Sequence, residues 1–185
     1  MSGFSPEWLA LREPVDHRSR DGALAEHVSA HFADRPNIEV VDLGCGSGSN
    51  IRATYALLGP EQTWTLVDYD PRLLVAARQT LAGWADKTET TPDALILSKA
   101  GKRLTVRFRQ ADLNRDLDFA LGEKPDLVTA SALFDLCSAG FIQTFATALT
   151  ERRAAFYTVL TYNGVQTWTP AHTDDTAFAA AFHAH

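Results

Sequence analysis

Hydrophobic residues along the chain switch repeatedly between two periods. Over residues 6 to 33, Leu9, Leu24, Val28 and Phe32 stand among charges at helical spacing, and Pro14 predicts a break between a short first helix and a longer second one. From Ile38 the period shortens: Ile38-Glu39-Val40-Val41-Asp42-Leu43 is a β-rich run that ends in glycines. Asn50 to Leu58 then returns to helical spacing through Ile51, Tyr55 and Leu58, and Gly59-Pro60 stops it. Thr63 to Val67 is a second strand, and Asp70-Pro71 supplies an N-cap and a first-turn proline to a helix through Leu74, Ala77, Leu81 and Trp84.

Leu95 to Leu97 and Leu104 to Arg109 flank the turn-like Lys99-Ala100-Gly101-Lys102. In the second run Arg103, Thr105, Arg107 and Arg109 alternate with Leu104, Val106 and Phe108, a pattern that predicts one wet face and an edge strand. Asp126 to Ala130 forms another strand, Ala139 to Arg152 a helix, and Ala154 to Thr161 a last strand. Asn163-Gly164 predicts a hairpin turn into Val165 to Thr169. Strands alternating with helices at these lengths imply an α/β fold, a doubly wound and mostly parallel sheet with helices on both faces. The division expected is a helical lead-in over 1–35 and one sheet domain over 36–185.

At 185 residues the chain fits a single domain able to bury a core without staples. Seventeen basic against 23 acidic residues give a net charge of −6, which disfavours nucleic acid as a partner. Cys45 and Cys137 are too few for a disulfide framework and lack metal-ligand spacing, so a reducing, cytoplasmic setting is expected. Neither the first 20 residues nor any later run carries the apolar stretch of a signal peptide or a membrane span.

The candidate chemistry lies at Asp42-Leu43-Gly44-Cys45-Gly46-Ser47-Gly48, a strand-to-helix turn where glycines let backbone approach a ligand. Any tight turn of this kind wants glycine, so the loop gains meaning only from its company. Asp68 ends the second strand, 20 residues past Gly48, where a carboxylate can accept from both ribose hydroxyls, and Asp112 follows the next parallel strand. A nicotinamide dinucleotide site would need glycine at position 49, and Ser49 stands there instead.

With Val40 to Gly48, Leu66-Val67-Asp68-Tyr69-Asp70, Gln110-Ala111-Asp112-Leu113 and Pro125 to Ser131 in order, the sequence resembles the class I S-adenosylmethionine-dependent methyltransferases over about residues 38 to 165. The resemblance implies a Rossmann-like sheet, S-adenosylmethionine as cofactor and S-adenosylhomocysteine as product. It also implies that Asp42, Gly44, Cys45, Gly46 and Gly48 wrap the methionine and ribose. Asp68 would hold the ribose, Tyr69 would lie beside adenine, Asp112 and the Leu113 backbone would read the adenine edge, and the Ala130 carbonyl would face the methionine amino group. The family's sheet ends with an antiparallel strand pair that this sequence lacks, which leaves the strand at 154–161 as an apolar edge and predicts self-association there unless 163–169 covers it.

Methyl transfer from a sulfonium rests on in-line positioning, an effect worth roughly 7–11 kcal/mol, and needs a base only for protonated nucleophiles. Asp135 follows the fourth parallel strand and is the candidate base, with a helix cap as the plainer reading. Arg12 and Arg20 are candidates for the methionine carboxylate, against a solvated helix face. His27 and His31 read as surface, Cys45 as a small buried residue, and the arginines of 103–109 as edge protection. The expected function is methyl transfer to a small molecule, with cofactor binding without turnover as the rival.

Overall fold

The computed structural model describes residues 4–162 and 164–184. Seven strands form one sheet in the order β3-β4-β5-β2-β1-β6-β7. Five of them, β5 (Lys102–Gln110), β2 (Glu61–Asp68), β1 (Asn37–Leu43), β6 (Leu127–Ser131) and β7 (Ala155–Val159), run parallel. Two short antiparallel strands, β3 (Lys87–Thr90) and β4 (Leu95–Lys99), extend the sheet beyond β5.

Strand residues alternate between two cores, as the pleat requires. Ile38 and Val40 of β1 join Trp64, Leu66, Leu104 and Val106 beneath α3 (Ser49–Thr54) and α4 (Pro71–Trp84), through Ile51, Leu74 and Leu81. Val41 and Leu43 join Val67, Val128 and Ala130 on the other face, beneath α5 (Leu117–Leu121) and α6 (Ala139–Arg152). A sheet covered on both faces explains why consecutive residues are buried in β1 from Val40 to Leu43 and in β6 from Leu127 to Ala130.

Local signals located several elements. Asp70 caps α4 by accepting from the Arg72 amide at 2.9 Å, with Pro71 in the first turn. Ser138 caps α6 through the Phe141 amide, and that helix spans the interval its periodicity predicts. The helix after the glycine loop is shorter than expected: α3 ends at Thr54 and a 3-10 turn carries Tyr55–Leu57.

Three expectations are overturned. Pro14 lies inside α1 (Pro6–Arg18); the break falls at Ser19 to Asp21, where Asp21 caps α2 (Gly22–His31) by accepting from the Leu24 amide at 2.7 Å. β5 is interior, flanked by β2 and β4, so its alternation reflects one thinly covered face and not a free edge. On that face the Arg109 guanidinium donates to the Phe119 and Ala120 carbonyls, while on the opposite face Arg78 of α4 lies 4.5 Å from the Phe108 ring centre. Residues 165–169 form no strand, and Asn163 of the anticipated hairpin turn lies outside the described residues. Instead Trp168 meets Phe178 of α7 (Asp175–His183) edge to face at 5.5 Å. Among the described residues β7 therefore has a strand neighbour on one side alone.

Candidate functional site

The parallel strands β1, β2 and β6 end together at Leu43, Asp68 and Ser131, and a cavity of about 340 Å³ opens over those ends. That is where an open α/β sheet places its ligand crevice, and the volume lies at the lower end of small-molecule sites. Its floor is the glycine loop. Gly44, Gly46 and Gly48 have φ of +63°, +54° and +79°, conformations that side chains resist. A methyl group on Gly44 would lie 3.2 Å from Leu133, and one on Gly46 would lie 3.0 Å from Leu9. The loop is thus a narrow cradle between α1 and the segment after β6.

Asp68 closes one end of the cradle. Its carboxylate accepts from the Gly46 amide at 2.9 Å and from the Asp70 amide at 2.9 Å, which ties the end of β2 to the loop and still leaves acceptor capacity. Burial raises its pKa above the ordinary carboxylate value, and those two amides work against the rise. Tyr69, Leu73 and Leu113 continue the same wall.

Asp42 lies beneath the loop, fully buried, and burial lifts its pKa to about 7. One oxygen accepts from the Asn50 amide at 2.7 Å, and the other has no hydrogen-bond partner. Asn50 also donates to Thr129 at 3.1 Å and accepts from the Arg20 guanidinium at 2.8 Å. This network joins β1, β6, α3 and the α1–α2 junction around one buried carboxylate. Cys45 is buried, and desolvation, with Asp42 and Asp68 nearby, holds its thiol well above the usual value, which makes it an inert packing residue.

The sequence-derived residues do not all converge. Gly44, Cys45, Gly46, Asp68, Tyr69 and Leu113 line the cavity. Gly48 lies behind it as the left-handed cap of α3, where an added methyl would touch Leu81. Asp112 turns into its own loop: its carboxylate accepts from the Asn114 amide at 3.0 Å and sits 3.8 Å from Arg115, off the cavity wall. Ala130 is buried within β6, and the wall is made by Ser131, Ala132 and Leu133 after it. Asp135 is exposed and off the wall, although its neighbour Leu136 lines it. Arg20 is spent on Asn50 and Thr54, whereas Arg12 reaches the cavity.

Sequence reasoning missed Leu9, Asp16, Asn50 and Leu133. Asn50 carried a signal, a buried amide among apolar helix positions, but the others depend on where α1 and the β6 loop come to rest. The overlay of α1 is fixed by the Glu13–Arg52 ion pair, by His17 at 2.9 Å from the Ser49 hydroxyl, and by Arg20 on Asn50. Arg52 also donates to the Ser47 carbonyl, so the clasp grips the glycine loop itself.

No protein-family model matches the chain, and neither does any curated protein. Solved structures do. The S-adenosylhomocysteine-bound methyltransferase PaMTH1 of Podospora anserina superposes with a TM-score of 0.51 at 13% identity, over 95% of this chain and 70% of that one. This is the class I S-adenosylmethionine-dependent methyltransferase fold. The magnesium protoporphyrin IX methyltransferase of Synechocystis, with S-adenosylmethionine bound, matches at a TM-score of 0.49 and 18% identity, over 76% of this chain and 55% of its own. An arsenic(III) S-adenosylmethionine methyltransferase of Chlamydomonas reinhardtii matches at 0.45 and 27% identity, over 65% and 38%. The chain therefore spans 38% to 55% of the length of those last two proteins.

The residues of the cavity fit such a cofactor. A carboxylate with free lone pairs, a cradle that any side chain on Gly44 or Gly46 would crowd, and a mixed aromatic and aliphatic wall suit a ribose, a thin backbone-lined segment and a purine in that order.

Proposed function

We propose that this protein is an S-adenosylmethionine-dependent methyltransferase that transfers a methyl group to a small-molecule acceptor by direct in-line displacement. The observation that carries the reading is the Gly46–Asp68 hydrogen bond at the edge of a single cavity over the strand ends, with Tyr69 and Leu113 beyond it. S-adenosylmethionine supplies an activated methyl on a sulfonium and leaves as S-adenosylhomocysteine. Asp68 would take the ribose hydroxyls, the glycine loop would seat the segment around sulfur, and Leu113 would lie along the adenine. Leu9, Leu133 and Leu136 would exclude water and hold the acceptor over the methyl, so that positioning supplies most of the rate.

Asp135 is exposed and off the cavity wall, so this mechanism gives it no proton-transfer role and rests on positioning instead. That same observation favours the second reading, cofactor binding without turnover. No described helix is long and apolar enough to cross a membrane. The setting we propose is the cytoplasm, in line with two cysteines that form no disulfide framework. We also propose that two copies associate through β7, whose five residues are uncharged, whereas the opposite edge strand β3 carries Lys87 and Glu89. Incubation with methyl-labelled S-adenosylmethionine and fractionated metabolite pools tests the enzyme. Labelled product with stoichiometric S-adenosylhomocysteine supports turnover, and tight cofactor binding with no label transfer from any fraction supports the second reading.

A further inference from the structure

Among the described residues that line the cavity, the charged side chains are Asp68, Arg12 and Asp16. Asp68 is accounted for. Arg12 and Asp16 form a two-point ion pair along α1, Nε to one carboxylate oxygen at 2.9 Å and a terminal nitrogen to the other at 3.1 Å. Both are part-buried, with side-chain exposures of 37% and 22%.

As a helix-stabilising device the pair is poorly placed. An acid four residues before a base is the favourable order, and here the base comes first. Asp16 also falls in the last turn of a helix that ends at Arg18, where the negative end of the helix dipole opposes a carboxylate. Nor does the pair fasten α1, because Glu13, His17 and Arg20 on the adjoining flank already clasp α3 and Asn50. What the pair does is present both signs of charge over the glycine loop, beside Leu9, which overlies Gly46.

We propose that the Arg12–Asp16 pair is the recognition element for the zwitterionic amino-acid end of the ligand, Arg12 taking the carboxylate and Asp16 the ammonium. The inference rests on the reading of the cavity as an S-adenosylmethionine site. Of the two arginines expected to meet the carboxylate it keeps Arg12 and drops Arg20, which is committed to Asn50 and Thr54, and it departs from the expectation that the Ala130 carbonyl faces the ammonium, since neither Arg20 nor Ala130 lines the cavity. A guanidinium matches a carboxylate through two parallel hydrogen bonds, and a carboxylate beside it cancels the charge that would otherwise repel an ammonium. Selection follows from the chemistry: an adenosyl sulfur compound without the amino-acid end leaves both partners locked on each other and gains nothing from them.

The test is calorimetric titration of the parent, Arg12→Ala and Asp16→Asn with S-adenosylhomocysteine and with 5′-methylthioadenosine, which shares the nucleoside and sulfur but lacks the amino acid. The parent should bind S-adenosylhomocysteine roughly ten- to hundredfold more tightly, and each variant should lose most of that preference while its affinity for 5′-methylthioadenosine stays within about twofold. Equal affinity of the parent for the two compounds overturns the inference and leaves the cofactor reading standing. A parallel fall in both affinities assigns the pair a structural role and also overturns it, and Asp16→Asn, which preserves shape, guards against mistaking a disturbed α1 for lost recognition. A parent that binds neither compound refutes the cofactor reading itself, and the inference with it.

Discussion

A carboxylate buried under a glycine loop should make the protein less stable as the pH rises. Asp42 titrates at about 7 in the folded chain, with burial as the largest cause, and near 3.9 when unfolded. Its contribution to stability is therefore full below about pH 3.9, declines above it, and is gone above about pH 7, where folding must carry a buried anion. The gap of roughly three pH units is worth about 4 kcal/mol, a large share of the stability of an ordinary domain. Arg20, facing Asp42 through Asn50, moderates the effect, while Asp68 aggravates it. Asp42→Asn removes the titration and keeps an oxygen to accept from Asn50, with the new amide nitrogen replacing the oxygen that lacks a partner. Urea unfolding of parent and variant between pH 4 and 8 should show the variant gaining on the parent by about 4 kcal/mol across that range. A difference that does not change with pH would refute the reasoning, because other groups titrate equally in both proteins.

Asp68→Ala should weaken S-adenosylhomocysteine binding by on the order of 1.5–3 kcal/mol, read by calorimetry on a variant whose unfolding remains cooperative. Since Asp68 is also raised by burial and its ionised form is the better ribose acceptor, parent affinity should tighten as pH rises from 4 and level off once the carboxylate is charged. Gly46→Ala forces a side chain into a φ of +54° and against Leu9, so it should cost at least tenfold in cofactor affinity, roughly 1.4 kcal/mol, with a smaller change in melting temperature. If β7 pairs with a second copy, light scattering of the parent should rise with concentration and Phe156→Lys, a substitution at a 40%-exposed position, should abolish the rise; a parent that is monomeric throughout removes the dimer.

How far the sequence reaches depends on whether a signal is local. The cap at Asp70 is read correctly because a cap needs only its own first turn. The glycine loop and Asp68 meet because strand ends bring them together wherever the parallel order holds. Alternation along β5 misleads about edges because it reports which face is wet and says nothing of hydrogen-bonded neighbours, and the short, charged β3 has no apolar period to announce it. Pro14 stands within α1, where Glu13 on Arg52 and His17 on Ser49 hold the helix against α3 on either side of it, tertiary contacts that the local breaker signal does not include. That Arg12 lines the cavity while Arg20 and Asp135 lie off it depends on the rotation of α1 and the path of the β6 loop, which are set by tertiary contacts such as Glu13–Arg52 and the Ala132 amide on the Val159 carbonyl.

The most direct test of the cofactor assignment is a side-by-side calorimetric titration of the unmodified protein with S-adenosylhomocysteine and NAD. Asp68 and the three left-handed glycines predict saturable one-to-one binding of S-adenosylhomocysteine and no heat with NAD, whose diphosphate the loop with Ser49 in place of a third spaced glycine does not seat. Binding of NAD in preference to S-adenosylhomocysteine would contradict the account.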